Sequence, residues 1–205
     1  MIENGAVLQL GYTAVTAGLL ANVVTSLEML ERPTTRVPAL PGNTDITSLA
    51  GSDLKAYRTL YRAVGENWLW SSRLVMPDDE LGAILNDPRV DILVLRKDGQ
   101  DIGLLELDFR EQGVCEITFF GVIADAIGQG LGRLLMDAAI DRAWSRPIKR
   151  LWLHTCTHDH PSALAFYIRS GFRPYAYHVE VLRDPRLTGH LPRDAAPHVP
   201  IIGPA

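Results

Sequence analysis

Residues 116–133, Glu-Ile-Thr-Phe-Phe-Gly-Val-Ile-Ala-Asp-Ala-Ile-Gly-Gln-Gly-Leu-Gly-Arg, constrain this chain more than any other stretch. They begin with the β-branched and aromatic residues of a strand, break at Gly128, Gly130 and Gly132, and continue into a helical pattern. Glycines at alternate positions admit dihedrals that side chains forbid and let a bulky ligand approach the backbone. A helix starting there points its unpaired N–H groups at the same spot, so the turn predicts an anion site of the kind that takes a phosphate or pyrophosphate.

Around that turn the periodicity alternates between helix and strand. A strand is expected over residues 23–30, and Pro33, Pro38 and Pro41 make a loop of residues 32–43. Ser52-Asp53 caps a helix carrying Leu54, Tyr57, Leu60, Tyr61 and Val64 at helical spacing, ending at Gly65. A second, short helix starts at Pro77 with Asp78, Asp79 and Glu80 in its first turn and ends near Asn86. Strands follow over residues 91–96, 102–109 and 114–122, joined by Asp98-Gly99 and by Glu111-Gln112-Gly113, which makes an antiparallel meander. Gly121 inside the last of these marks a bulge or a close backbone approach. Leu131, Leu134, Leu135 and Ala138 form the apolar stripe of a helix reaching Trp144; then come a strand over 151–156, a helix over 161–170 stopped by Gly171, and a strand over 175–182.

The 205 residues suit one domain with an elaboration: residues 1–50 as an N-terminal strand and proline-rich loop of that domain, a core over 51–183, and an irregular proline-rich tail over 184–205. A net charge of −4 gives no basic footprint, so no nucleic-acid partner is expected. Cys115 and Cys156 are the only cysteines, which is no disulfide framework and fits a reducing, cytoplasmic compartment. Residues 4–27 carry no charge, but they lack a preceding basic segment and are diluted by Gln9, Asn22, threonines and glycines. They read as a buried strand with its lead-in, so neither a signal peptide nor a membrane span is expected.

A dinucleotide site does not fit the glycine turn. The third glycine of that fingerprint would fall at Arg133, the next strand ends Thr155-Cys156-Thr157 without an acid for a ribose, and the preceding strands are hairpin-linked. The run Ile127-Gly-Gln-Gly-Leu-Gly-Arg-Leu-Leu instead resembles the acetyl-CoA pyrophosphate loop of the GNAT (GCN5-related) N-acetyltransferases, Arg/Gln-x-x-Gly-x-Gly/Ala. Gly130 and Gly132 fill the glycine slots, and Ile127 stands where Arg or Gln is usual. About thirty residues on, Ala163-Leu-Ala-Phe-Tyr-Ile-Arg-Ser-Gly-Phe resembles the family's Asn-x-x-Ala-x-x-Phe/Leu-Tyr-x-x-x-Gly-Phe segment, with His160 in the asparagine slot. With the meander and last strand, the resemblance spans about residues 90–182.

The resemblance implies an α/β (α+β) fold: a mixed central sheet with an antiparallel meander, flanked by helices, whose fourth and fifth strands splay so that pantetheine slots between them. It implies an enzyme that moves the acetyl group of acetyl-CoA, a co-substrate, directly onto a primary amine of a small molecule or peptide; a homodimer is compatible with it. Phe120, Gly121 and Val122 are implied to bind pantetheine and the thioester through their backbone. Ile127, Gly128, Gln129, Gly130, Leu131, Gly132 and Arg133 are implied to bind the pyrophosphate, and His160, Ala163 and Phe166 to complete the cofactor site. Tyr167 is the implied acid for the departing thiolate. Glu116 is the first candidate base, provided that the face shared by Glu116, Thr118 and Phe120 under strict alternation lines the cleft. His154 is the alternative, because imidazole titrates near neutrality. Trp68, Trp70 and Arg73 stand where the acceptor loop is expected, and would serve equally as core bridges. No metal is expected: His154, Cys156 and His158 share strand parity, but the strand ends near Cys156 and zinc-finger spacings are absent. Two other readings stay open, a CoA-binding module without transferase activity and transfer of a different acyl group.

Overall fold

Asp98 and Gly99 both adopt positive φ, 51° and 79°, as a two-residue hairpin loop requires. In the computed structural model, which describes residues 7–34, 42–49 and 53–203, this turn joins β3 (Val90–Lys97) to β4 (Gln100–Asp108), and β5 (Val114–Val122) completes the meander. β6 (Arg150–Cys156) lies parallel to β5, the two connected by α4 (Leu131–Trp144), since parallel neighbours need a crossover. β1 (Leu19–Met29) inserts between β6 and β7 (Arg173–Arg183), antiparallel to both. β2 (Thr44–Ser48) adds to the outer side of β3, giving a seven-stranded sheet in the order β2-β3-β4-β5-β6-β1-β7. The expectations did not include β2; its five residues form a strand only because β3 offers them an edge.

Each face of the sheet has its own core. α4 and α5 (Ala163–Arg169) cover one face, where Leu135, Met136, Ala139 and Phe172 pack on Leu105, Leu107, Ile117 and Leu153. α1 (Leu54–Gly65), α2 (Ser72–Val75) and α3 (Asp78–Leu85) cover the other, where Tyr57, Tyr61 and Val64 meet Val94 and Leu104. Asp53 caps α1, its Oδ1 accepting the Ala56 N–H at 2.9 Å, and three acids stand in the first turn of α3, where the helix dipole favours them. Ser52 and residues 35–41 of the expected proline-rich loop lie outside the described residues.

One expectation about the chain ends needs correction, and the other gains a detail. The lead-in to β1 is not buried: from residue 7 it runs in the open, with Leu10 and Tyr12 fully exposed. The tail is irregular but is tied down by a buried latch. Arg186 donates to both Asp184 carboxylate oxygens and, through Nη1, to the carbonyls of Ala195, Ala196 and Val199. This gathers Leu191, Ala195, Ala196 and Val199 over Leu20 and Leu69 as a third apolar cluster. Among the described residues no helix is long and apolar enough to cross a membrane.

Candidate active site

The sheet opens at one place. β5 and β6 pair only from Val114↔Arg150 to Ile117↔Leu153, after which β6 continues beside β1 and the facing edge of β5 is left without a strand partner. The cause lies on the opposite edge of β5, where Glu106 pairs with Phe119 and Leu107 with Ile117, so that Thr118 is an extra residue in the ladder. Such a bulge bends a strand and increases its twist. It sits at Thr118, not at Gly121, and the Thr118 hydroxyl is buried without a protein partner. Gly121 answers the other half of its expectation, a close approach: a Cβ there would stand 2.6 Å from Val64 Cγ1.

The bulge also overturns strict alternation. Cys115 and Ile117 face α4 before it and Phe120 and Val122 after it, so Glu116 and Phe120 lie on opposite faces of the sheet. On the α4 side, Phe120 stacks on Phe166 at 5.8 Å and meets the edge of Tyr167 at 6.0 Å. On the other side, Glu116 Oε1 lies 3.6 Å from His154 Nδ1, next to where the two strands part.

At the glycine turn, Gly128 and Gly130 take φ of 81° and 78°, so α4 begins directly after a left-handed residue. The N–H groups of Gly128, Gln129, Gly130, Leu131 and Gly132 make no hydrogen bond within the described protein. A Cβ on Gly132 would touch nothing. The Gln129 side chain turns away, accepting from Lys97 Nζ at 2.9 Å and donating to the Asp125 carbonyl at 2.6 Å, while the Leu131 side chain is core. Arg133 pairs with Asp137 at 2.9 Å. Ile127, half exposed, brings no polar side chain to the turn.

The turn and the fork open into one cleft of about 510 Å³. Every residue expected at the site lines it except Glu116, Gln129, Leu131 and Arg73. Arg73 is elsewhere for a clear reason: it is buried, donating to Glu106 Oε1 at 2.5 Å, while Tyr57 donates to Glu106 Oε2 at 2.5 Å. Trp70 contacts Tyr61 and Phe119, and Trp68 meets His160 and His198 at 5.2 and 5.7 Å. His160 Nδ1 accepts the Ser162 N–H at 3.1 Å. Burial, with the Asp159 charge added, pushes the Tyr167 hydroxyl well above the ordinary phenol range, so it keeps its proton at neutral pH. Burial and then Asp159 raise the Cys156 thiol to about 12, which leaves it protonated and a poor nucleophile. Among the described residues no group of three or more His, Cys, Asp or Glu is placed to hold a metal ion.

Among the lining residues absent from the expectations are two carboxylates, Asp159 and Glu180, and a buried amide, Asn22. A buried amide in the otherwise apolar first half of β1 was a readable signal for Asn22. No local pattern marks the other two.

A model described as the acetyltransferase (GNAT) family matches residues 56–172. Similar curated proteins include the mycothiol acetyltransferase of Beutenbergia cavernae, 35% identical over 83 residues, or 40% of this chain and 28% of that protein. That of Jonesia denitrificans is 36% identical over 77 residues, 38% of this chain and 24% of the relative. The matched segments thus span about a quarter of the length of these relatives. Among solved structures, a GCN5-related N-acetyltransferase from Kribbella flavida superposes with a TM-score of 0.56 at 22% identity, covering 84% of this chain and 63% of the other. One from Sphaerobacter thermophilus reaches 0.61 at 16% identity over 80% and 52%. At those identities the likeness is one of fold.

Proposed function

Because the chain belongs to the GNAT acetyltransferase family, we propose that it transfers the acetyl group of acetyl-CoA directly to a primary amine. The observation that carries this reading is the convergence on one cleft of an unpaired strand edge, a row of free N–H groups at a helix start, and Tyr167. Pantetheine lies along β5 as an added strand, hydrogen-bonded to the backbone of Phe120–Val122, and the pyrophosphate takes the N–H groups of Gly128–Gly132. The thioester then sits in the fork, with fixed backbone dipoles aimed at its carbonyl.

The acceptor approaches from the face away from α4. Its nitrogen gives up a proton to His154, whose Nδ1 lies 3.6 Å from Glu116 Oε1, and attacks the thioester carbon; the C–N bond forms as the C–S bond breaks. The departing thiolate takes the Tyr167 proton, which the raised phenol pKa has kept in place, and the phenolate recovers a proton from the acetylated nitrogen. The products are an N-acetyl amine and CoA.

Acetyl-CoA at about a hundred times its Kd should stabilise the fold by about 2.7 kcal/mol, a rise in Tm of roughly 5–11 °C for a chain of this size. No shift at millimolar acetyl-CoA or CoA overturns the reading. Thiol release across a panel of amines tests transfer itself. A thermal shift without thiol release from any amine would favour the CoA-binding module, the reading that Ile127 and His160 in their motif slots keep alive.

A further inference from the structure

Beyond the fork, on the face away from α4, the cleft has a distinct chemistry. Apart from histidines, its charged lining residues there are two carboxylates, Asp159 and Glu180; Arg133 stands at the glycine turn and is already paired. Asp159 is held rigidly on one side only. Its Oδ2 accepts from Thr155 Oγ1 at 2.7 Å and from the Cys156 N–H at 2.9 Å, whereas Oδ1 receives one long contact from Trp70 Nε1 at 3.4 Å. Trp70 packs on Phe119 of β5, so this under-used oxygen faces the loop of Trp68 and Trp70 inside the cleft.

The second carboxylate has a partner that defines what it can take. Asn22, 4% exposed, donates Nδ2 to Glu180 Oε2 at 2.9 Å, directly across the β1–β7 ladder. Its own Oδ1 is buried and unpartnered. Asn22 Oδ1 is closed off, so what the pair presents to the cleft is the Glu180 carboxylate, held by the Asn22 amide: acceptors and a negative charge. The group that complements them is an ammonium, three donors and no acceptor. Both carboxylates line the same cleft as Cys156 and His158. The β7 and β6 strands that carry or precede them are two sheet spacings apart, about 9–10 Å. The C-terminal segment helps to close this end, with His198 against Trp68 and bonded to the His158 carbonyl at 3.3 Å, which favours a small molecule over a protein surface.

Building on the acetyl-transfer reading, we propose that the acceptor is a small diamine or polyamine, its reacting nitrogen held at Asp159 Oδ1 and a second ammonium seated on the Asn22–Glu180 pair. The reacting nitrogen still loses its proton to His154 before attack, and the second ammonium takes no part in bond making. Asp159 and Glu180 are positioning residues that select the acceptor.

The test compares kcat/KM for 1,4-diaminobutane and n-butylamine, at saturating acetyl-CoA, in the wild type and in Glu180→Gln, Glu180→Lys and Glu180→Asp. Glu180 is exposed on an edge strand, so these variants should fold, and their acetyl-CoA-induced Tm shift checks that they do. The wild type should prefer the diamine at least tenfold. Glu180→Gln should bring that ratio close to one, mainly through KM, Glu180→Lys should invert it, and Glu180→Asp should keep part of it. Equal use of the two amines by the wild type, or a ratio unaffected by Glu180→Gln, overturns the proposal. So does acetyl-CoA binding without diamine turnover, an outcome that leaves acetyl transfer to another acceptor standing. Absence of any acetyl-CoA shift overturns the acetyl-transfer reading and the proposal together.

Discussion

Gly121→Ala adds one methyl where the fork meets α1. Gly121 does not have positive φ, so the backbone itself tolerates alanine. The space does not: the new Cβ would stand 2.6 Å from Val64 Cγ1, with Trp70 Cη2 at an ordinary 3.7 Å. Val64 is 3% exposed and β-branched, so it has neither room nor an easy second rotamer, and α1 or β5 must shift. Overpacking of this kind costs about 1–3 kcal/mol, while replacing glycine returns about 0.4–1 kcal/mol by restricting the unfolded chain. The net loss should be roughly 1–2 kcal/mol, a fall in Tm of about 2–8 °C. Urea unfolding of the wild type, both single variants and Val64→Ala/Gly121→Ala isolates the contact. The double variant should be more stable than the sum of the singles by about 1–3 kcal/mol, because truncating Val64 removes the clash. Additivity within about 0.5 kcal/mol would refute the steric account.

Tyr167→Phe should lower kcat by roughly 10²–10⁴, the usual worth of a general acid, and leave the acetyl-CoA-induced Tm shift intact; steady-state kinetics with unchanged kcat would remove the phenol from the mechanism. Glu106→Gln leaves the buried Arg73 guanidinium uncompensated and should cost about 3–5 kcal/mol by urea unfolding; a loss under about 1 kcal/mol would mean that Tyr57 and Phe119 suffice to hold it. Burial works to raise the Asp184 carboxyl, but hydrogen bonds from Arg186 outweigh it and hold the group below the ordinary range. A depressed folded pKa means stability that is full above the unfolded value of about 3.9 and lost as pH falls through the folded one. Asp184→Asn should therefore melt below the wild type at pH 7, with the gap closing under about pH 4; a gap independent of pH would contradict the latch.

What was legible in the sequence was what the backbone decides locally. Asp98-Gly99 and the Gly128–Gly132 turn demand left-handed dihedrals, and the apolar stripe of α4 needs only its own period. β2 was not legible, because a five-residue strand takes its meaning from β3. The lining of the candidate cleft was legible where a motif spans one continuous stretch, and was missed where the sheet assembles it. Asn22 and Glu180 are far apart in sequence and meet only because β1 pairs with β7, while Asp159 reaches the same cleft from the turn after β6. For Arg73 two readings stood side by side, an acceptor contact and a core bridge, and the buried carboxylate on β4 that captures it answers to the second.

The bulge, expected at Gly121 and found at Thr118, turns one strand into a two-sided candidate site. Without it, Glu116 and Phe120 would project from the same face, and the edge of β5 would stay closed against β6. With it, the strand changes parity at the place where it leaves its neighbour. Phe120 then joins Phe166 and Tyr167 on the α4 side, and Glu116 joins His154 on the other. On the proposed mechanism, a thioester in the gap would be met by an acid from one face of the sheet and by the base and the acceptor from the other. Removing the extra residue, by deletion of Thr118, should close the fork: acetyl-CoA would no longer raise Tm, although a lone deletion in a buried strand also costs stability. Insertion of one residue after Gly113, in the turn before β5, controls for that cost, since it lengthens the loop and leaves the parity change in place. Thermal stabilisation by acetyl-CoA that survives the deletion would show that the fork does not depend on the bulge.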